Sequence, residues 1–327
     1  MSRTATLALG AVLILVLLAG LLLGETTLTA AQYAEAFAHP ASPPGEVLWT
    51  IRLPRALMAA LIGGGLGLAG AALQGLLRNP LADPGVLGVS AFAGLGAALT
   101  IALGASAVTG AVEAGALVGA LAAGLLVSGL AARFREPEAL ILLGVSLSSL
   151  GGALTALIFN FSPSPVATAE VMNWLLGSVD NRDFGDILRA LVPMTLGAAL
   201  CLWSARGLTM LTLGEETAAL SGLPMASLRT AAVAGAALMT GAAVAAAGVV
   251  GFVGLAAPHL VRRLSGDDPG KLLIPSAFAG AILLITADLI SRVLPSEQEL
   301  KLGVVTALVG APLFALVAWR ASRSWRA

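Results

Sequence analysis

"TAAVAGAALMTGAAVAAAGVVGFVGLAAPHLV", residues 230–261, is 32 residues without one Asp, Glu, Lys or Arg. As one straight helix it would measure about 48 Å at a rise of about 1.5 Å per residue, against roughly 30 Å of bilayer hydrocarbon. Both flanks are basic, Arg229 before it and Arg262 and Arg263 after it, and basic residues favour the cytoplasmic side of a membrane. The two ends therefore belong on the same side. Gly248, Gly251 and Gly254, followed by Pro258, supply the place to turn. The run is predicted to split into a full span over about 228–248 and a short returning helix over about 253–262.

The rest of the chain fits that solvent. Of 327 residues, 58% are hydrophobic and 11% charged, and mean hydropathy is +0.94; soluble domains carry about 25% charged residues. A formal net charge of +0 removes the electrostatic argument for nucleic acid. The single cysteine, Cys201, sits in an apolar run, reads as a core residue and rules out a disulfide framework. Other uncharged or nearly uncharged runs lie at 5–23, 56–77, 86–104, 114–132, 139–160, 187–205, 272–287 and 302–319. Only helices satisfy their backbone in lipid without closing a barrel. The first run follows Arg3 and is longer than a signal-peptide core, so it reads as a retained span rather than a cleaved leader.

The count is then ten membrane segments in one domain over 1–327, an all-α polytopic membrane protein with a short eighth helix and both termini inside. Of the 18 Lys/Arg, only Arg52, Arg55, Arg182, Arg189, Arg292 and Lys301 fall outside. Small residues such as "GGGLGLAG" (63–70) and Gly88, Gly94 and Gly96 read as helix-packing positions. "SAFAG" occurs at 90–94 and 276–280, each shortly after a "DPG" (83–85 and 268–270). Chance, a common way of starting a helix and duplication all fit that repeat.

The polar positions are few. Segment 206–229, the longest inside connection, holds Thr212 and Glu215 in capping-box spacing and Gly222 and Pro224 as stops. It reads either as a surface loop or as a handle for a soluble partner. "GDDPGKL" (266–272) has the wrong glycine spacing and Leu in place of Ser/Thr for a phosphate loop. His39 and His259 lie on opposite sides in this topology, so no metal set forms, and no nucleophile–base pair stands out. Asp288 is the clearest ionisable group inside a span, and Arg292 is one turn on. The pair reads first as a salt bridge; proton or cation coupling at Asp288 is the alternative. Arg52, Arg55 and Arg292 face outward against the charge rule, as headgroup anchors or as a dock for acidic groups.

These positions together resemble a known family, the permease subunits of bacterial ABC importers for ferric siderophores, haem and cobalamin. The resemblance rests on "RLPR" (52–55), "GAALQGLLRNPLADPGVLGVS" (70–90), "WLLGS" (174–178), "LGEETAALSGLP" (213–224), "GFVGLAAPHLVRRLSGDD" (251–268), "ADLISR" (287–292) and "LGVVTALVGAPLF" (302–314), in that order over nearly the whole chain. It implies the type II importer permease fold of ten helices, in the bacterial inner membrane. It also implies a dimer, most simply of two identical chains, with two separate ATPase subunits below, carrying ATP and magnesium, and a periplasmic binding protein above. This chain would be no enzyme and hold no cofactor or metal. Arg52, Arg55 and Arg292 match the family's docking arginines. Asn79, Pro80 and Leu81 match its cytoplasmic gate, where Asn79 and Leu81 would face their symmetry mates. Leu213, Gly214, Glu215, Glu216, Ala219 and Gly222 match its ATPase-coupling segment.

The family's path runs along the fifth and tenth spans. On the fifth, Gly144, Ser148, Gly151 and Thr155 follow 4-3-4 spacing and are expected to form a small, weakly polar lining face. A ferric siderophore or similar metal chelate is the expected cargo, with cobalamin or haem as alternatives; the outer segment 161–186 shows no haem-ligating cluster. A proton-coupled secondary transporter using Asp288 competes weakly, because the spans hold almost no other ionisable side chains to relay a proton. A scaffold without transport leaves the gate-like loop and the handle unexplained.

Overall fold

The long apolar run breaks where its glycines stand. In the computed structural model, helix α7 (Met225–Ala247) ends at Gly248, with φ +70°. Phe252 takes a left-handed φ of +67°, and α8 (Val253–Val261) sets off from it. The structure describes residues 3–133, 137–162, 164–264, 266–294 and 300–324; Arg135 and Arg326, counted in the charge balance, lie outside them.

Before α7 come α1 (Arg3–Leu22), α2 (Leu53–Leu76), α3 (Val89–Ala102), α4 (Ala111–Ala131), α5 (Pro137–Phe161) and α6 (Phe184–Trp203). After α8 come α9 (Pro269–Val293) and α10 (Leu302–Ser324). Among the described residues there is no strand, and seven helices are long and apolar enough to cross a membrane; α3 and the stretch Leu302–Pro312 of α10 are shorter apolar helices. Short helices at Ala30–Ala38 and Pro165–Leu175, and a π turn over Glu46–Arg52 leading into α2, were not expected.

The centre is α2 with α7 and α9 against it, and small residues let them close. A Cβ on Gly63 would stand 2.3 Å from the Gly280 carbonyl oxygen, and one on Gly67 2.1 Å from that of Ser276. One on Gly70 would lie 1.8 Å from the Gly254 oxygen, so α8 is seated on α2 backbone to backbone. Gly96 of α3 makes the same approach to Gly115 of α4. This is the packing that replaces hydrophobic driving force where the surroundings are themselves apolar. Leu7, Leu15, Leu125, Leu142, Leu188 and Leu196 are exposed around the outside, as lipid-facing side chains would be. Cys201 is fully buried, against Gly235.

Two expectations are corrected, and the "DPG" repeat, left open above, gains a structural account. Gly144, Ser148, Gly151 and Thr155 do not line an open face. They turn toward α3 and the turn before it: a Cβ on Gly144 would meet the Val86 oxygen at 2.1 Å, and one on Gly151 the Ala91 side chain at 3.0 Å. Small residues at 4-3-4 spacing serve close packing as well as they serve a channel. Thr212 and Glu215 form no capping box: the Thr212 hydroxyl donates to the Thr209 oxygen at 2.7 Å, and Gly214 precedes the helix Glu215–Leu220. The two "DPG" strings are one helix-start device. Asp83 accepts from the Gly85 N–H at 2.7 Å to open a 3-10 turn, and Asp268 accepts from Gly270 at 3.0 Å to open α9.

Candidate functional site

Two ends of the bundle hold almost all the polar side chains of interest. At the first end, α1 stops at Leu22 with its last carbonyls unpaired by helix geometry. Two arginines from other helices take them. Arg52, at the end of the π turn, donates from Nη1 to the Leu22 oxygen at 2.8 Å and the Leu21 oxygen at 3.4 Å, and from Nη2 to that of Thr26. Arg292 of α9 donates to the Gly20 and Leu23 oxygens, each at 3.2 Å. Cations at a helix C-terminus also favour its dipole.

Behind them lies a buried ion cluster. Arg292 Nη2 is 3.0 Å from Asp288 Oδ2 along one turn of α9. Arg55 of α2 reaches the same carboxylate from the other side, with Nε 2.9 Å and Nη2 2.8 Å from Oδ1. Arg55 Nη1 extends further, to Asp180 at 3.2 Å. Arg52, Arg55 and Arg292 are only 4%, 6% and 8% exposed, and Asp288 1%. The three arginines expected to stand outward as a dock are thus mostly drawn inside the chain by α1 and Asp288. Two guanidiniums thus share the Asp288 carboxylate.

At the other end lies the loop between α2 and α3. Helix α2 ends in a Schellman turn: Arg78 takes φ +48°, and the Asn79 N–H reaches the Gln74 oxygen at 3.2 Å. The Asn79 side chain accepts from the Leu81 N–H at 2.9 Å, which tightens the Asn-Pro turn. Pro80 and Leu81 project outward, whereas Asn79 is half-buried in holding the turn. Burial pushes the Asp83 carboxyl above its usual range, opposed by the N–H groups of Gly85 and Leu255.

The element missed in the sequence is Gln74, the one amide side chain in the second apolar run. It is buried, and its Nε2 donates to Ala82 at 3.3 Å, Leu255 at 3.4 Å and Gly254 at 3.5 Å. Its Oε1 accepts from Arg262 Nη2 at 2.6 Å. One side chain therefore ties the loop to α8. A polar group inside a membrane run was the available signal.

Beside the loop stands the segment Leu213–Gly222. Glu215 is ion-paired to the buried Arg229 at the start of α7, and Ala218 is buried. The six-residue helix closes in the same Schellman way, with Gly222 at φ +82° and the Leu223 N–H on the Ala218 oxygen at 3.3 Å. Leu213 and Leu220 are left outside, Leu220 at 89% exposure. Thr212, the residue just before that segment, shares the lining of a cavity of about 370 Å³ with Gln74, Arg78, Pro80 and Arg262 of the loop end.

One end holds helices together through buried ions and the other gathers loops and a short helix around a cavity, on a bundle of apolar helices that defines a polytopic membrane permease. The comparisons give that class its family. The model of the FecCD transport family matches residues 12–320, and the chain belongs to that family: it is the permease subunit of an ABC importer and does not itself carry the ATPase site. The chain is 40% identical over 287 residues to the ABC transporter permease protein YvrB of Bacillus subtilis (strain 168), covering 86% of this chain and 81% of that one. It is 38% identical over 321 residues to the vitamin B12 import system permease protein BtuC of Escherichia coli O157:H7, covering 97% and 95%. A solved structure described as an inward-facing, metal-chelate type ABC transporter superimposes with a TM-score of 0.87 at 30% identity, over 98% of this chain and all of that one. Permeases of such importers work with ATPase and substrate-binding partners.

Proposed function

We propose that this permease crosses the bacterial inner membrane ten times, with both termini cytoplasmic, and forms a homodimer that imports a bulky metal chelate. Cobalamin is the favoured cargo, on the likeness to the vitamin B12 permease across 97% of the chain. A ferric siderophore is the second reading, favoured by the metal-chelate transporter whose fold superimposes on this one. The observation that carries the mechanism is the shared cavity: the segment around Thr212 and the loop at Arg78 and Pro80 border one space. A separate ATPase subunit, seated on Leu213, Gly214, Glu215, Glu216, Ala219 and Gly222, would press on that segment, and the Asn79–Leu81 turn beside it would open.

With Gly144, Ser148, Gly151 and Thr155 turned inward, the path is assigned to the opposite side of α5. There Ser146, Ser149, Ala153, Ala156 and Asn160 are exposed at 3-4-3-4 spacing. Small, weakly polar side chains let a large chelate slide without tight binding. Among the described residues, the outer end gathers Arg52, Arg55 and Arg292 around Asp288 and Asp180, three guanidiniums to two carboxylates. An acidic face on a periplasmic binding protein would meet that excess.

The test is uptake into proteoliposomes that hold the permease with its ATPase, supplied with binding protein and either cyanocobalamin or a ferric hydroxamate. ATP-dependent cyanocobalamin uptake is expected. Uptake of the hydroxamate alone would replace the cargo, and uptake driven by a proton gradient without ATP would overturn the mechanism.

A further inference from the structure

The two carboxylates on Arg55 sit in opposite settings. Asp288 is 1% exposed and shared with Arg292, buried inside this end of the bundle. The Asp180 side chain is 42% exposed, although the arginine it touches is buried. Asp180 also belongs to no helix. It lies in the turn between Leu175 and Phe184, beside Asn181 at φ +53°.

We infer that Asp180 is an exchangeable placeholder, occupying on Arg55 the position that a carboxylate of an acidic docking partner takes over. The inference rests on the reading that an acidic partner docks at this end. The exchange conserves charge pairing: one carboxylate leaves Arg55 Nη1 as another arrives, while Asp288 stays on Nε and Nη2 and keeps the buried guanidinium neutralised.

The placeholder is attached to something that can report its release. Its segment clasps the ends of two helices. The Ser178 N–H donates to the Ala247 oxygen at the end of α7 at 2.8 Å, and the Leu302 and Gly303 N–H groups at the start of α10 donate to Gly177 and Leu176 at 2.9 and 3.1 Å. Beyond α7 the chain turns at Gly248 into α8, whose far end leads to Arg262 on Gln74, the anchor of the Asn79 loop. Freeing Asp180 loosens the first member of this contiguous series, so docking at one end gains a physical route toward the loop at the other.

The test uses full-length permease in lipid nanodiscs and a fluorescent hexaglutamate peptide as the acidic probe, at low salt. Asp180→Asn keeps an oxygen for the Asn181 N–H, now 2.9 Å from Asp180 Oδ1, but weakens the hold on Arg55. It is expected to bind the peptide roughly fivefold tighter than the unaltered chain, the scale of one exposed ion pair. Asp183→Asn makes the same charge change three residues away, where the side chain caps α6, and is expected to leave affinity close to that of the unaltered chain. Hydrogen exchange adds a readout free of mutation: the peptide should speed exchange over residues 176–182. Equal tightening by both variants, no tightening, or unchanged exchange overturns the placeholder while binding itself upholds the docking reading. Failure of hexaglutamate to bind either the unaltered chain or Asp180→Asn overturns both.

Discussion

The arginine end and the loop end handle buried polarity in opposite ways. At the arginine end, charge is neutralised by charge: Arg55 and Arg292 converge on Asp288, and Arg52 and Arg292 close the carbonyls of α1. At the loop end, a neutral amide, Gln74, spreads weaker hydrogen bonds over Ala82, Gly254, Leu255 and Arg262. The first arrangement has one deep minimum, because moving any ion exposes another in a poor solvent. The second consists of several modest bonds around a turn whose Arg78 is held at a φ of +48°. An end that anchors helices and a loop that is proposed to open call for those two chemistries respectively.

The sharpest way to break the contrast is Asp288→Ala. It leaves two arginines in the bundle without their shared carboxylate, and removing one partner from a buried ion network costs about 3–5 kcal/mol. The expected outcome is loss of most monodisperse protein after mild heating in detergent, read by size-exclusion chromatography against temperature. A thermal midpoint unchanged within a degree or two would show that the cluster does not anchor α1, α2 and α9.

Gln74→Leu probes the other end. It removes the donor to three carbonyls and the acceptor for Arg262, whose guanidinium burial already pushes below its usual range, with Asp267 opposing. The expected cost is about 1–3 kcal/mol, smaller than for Asp288→Ala. The effect should be concentrated in the loop: with Cys201→Ser as background, a cysteine introduced by Leu81→Cys should react faster with a water-soluble maleimide. An unchanged rate would mean that the loop is held by something other than Gln74.

How much of this the sequence disclosed follows the same division. The break in 230–261 was legible because chain length, two basic flanks and three glycines all demanded it locally. The close packing of 63–70 was legible because only small residues allow it. What could not be read was which way a surface faces. Gly144, Ser148, Gly151 and Thr155 form a face on any helical wheel, yet only the position of α3 says that the face is covered. The outward arginines were visible as a charge anomaly, but their carbonyl partners at and just beyond the end of α1 lie 26–31 positions away for Arg52 and 269–272 for Arg292. Capping of one helix by another is a tertiary fact with no local signature. At Thr212 the capping-box spacing was present and Gly214 displaced it, since a glycine there opens the helix two residues late.

The smallest stability effect is expected where the functional effect is greatest. Leu220 is 89% exposed at the end of its short helix, and surface substitutions away from caps and ion pairs usually stay within about 0.5 kcal/mol. Leu220→Asp should therefore leave the thermal midpoint where it is. The helix itself is held from the other side, by Glu215 on Arg229 and by the buried Ala218, neither of which the change touches. If Leu213 and Leu220 are the apolar contact for an ATPase subunit, a carboxylate in place of Leu220 must be desolvated on docking without a partner, which costs several kcal/mol of association. Copurification of the ATPase and ATP-driven uptake should then fall together, while binding at the arginine end is retained. If uptake persists at its original rate, Leu220 is not part of the ATPase contact, and coupling has to pass through the cavity wall at Arg78 and Arg262 instead.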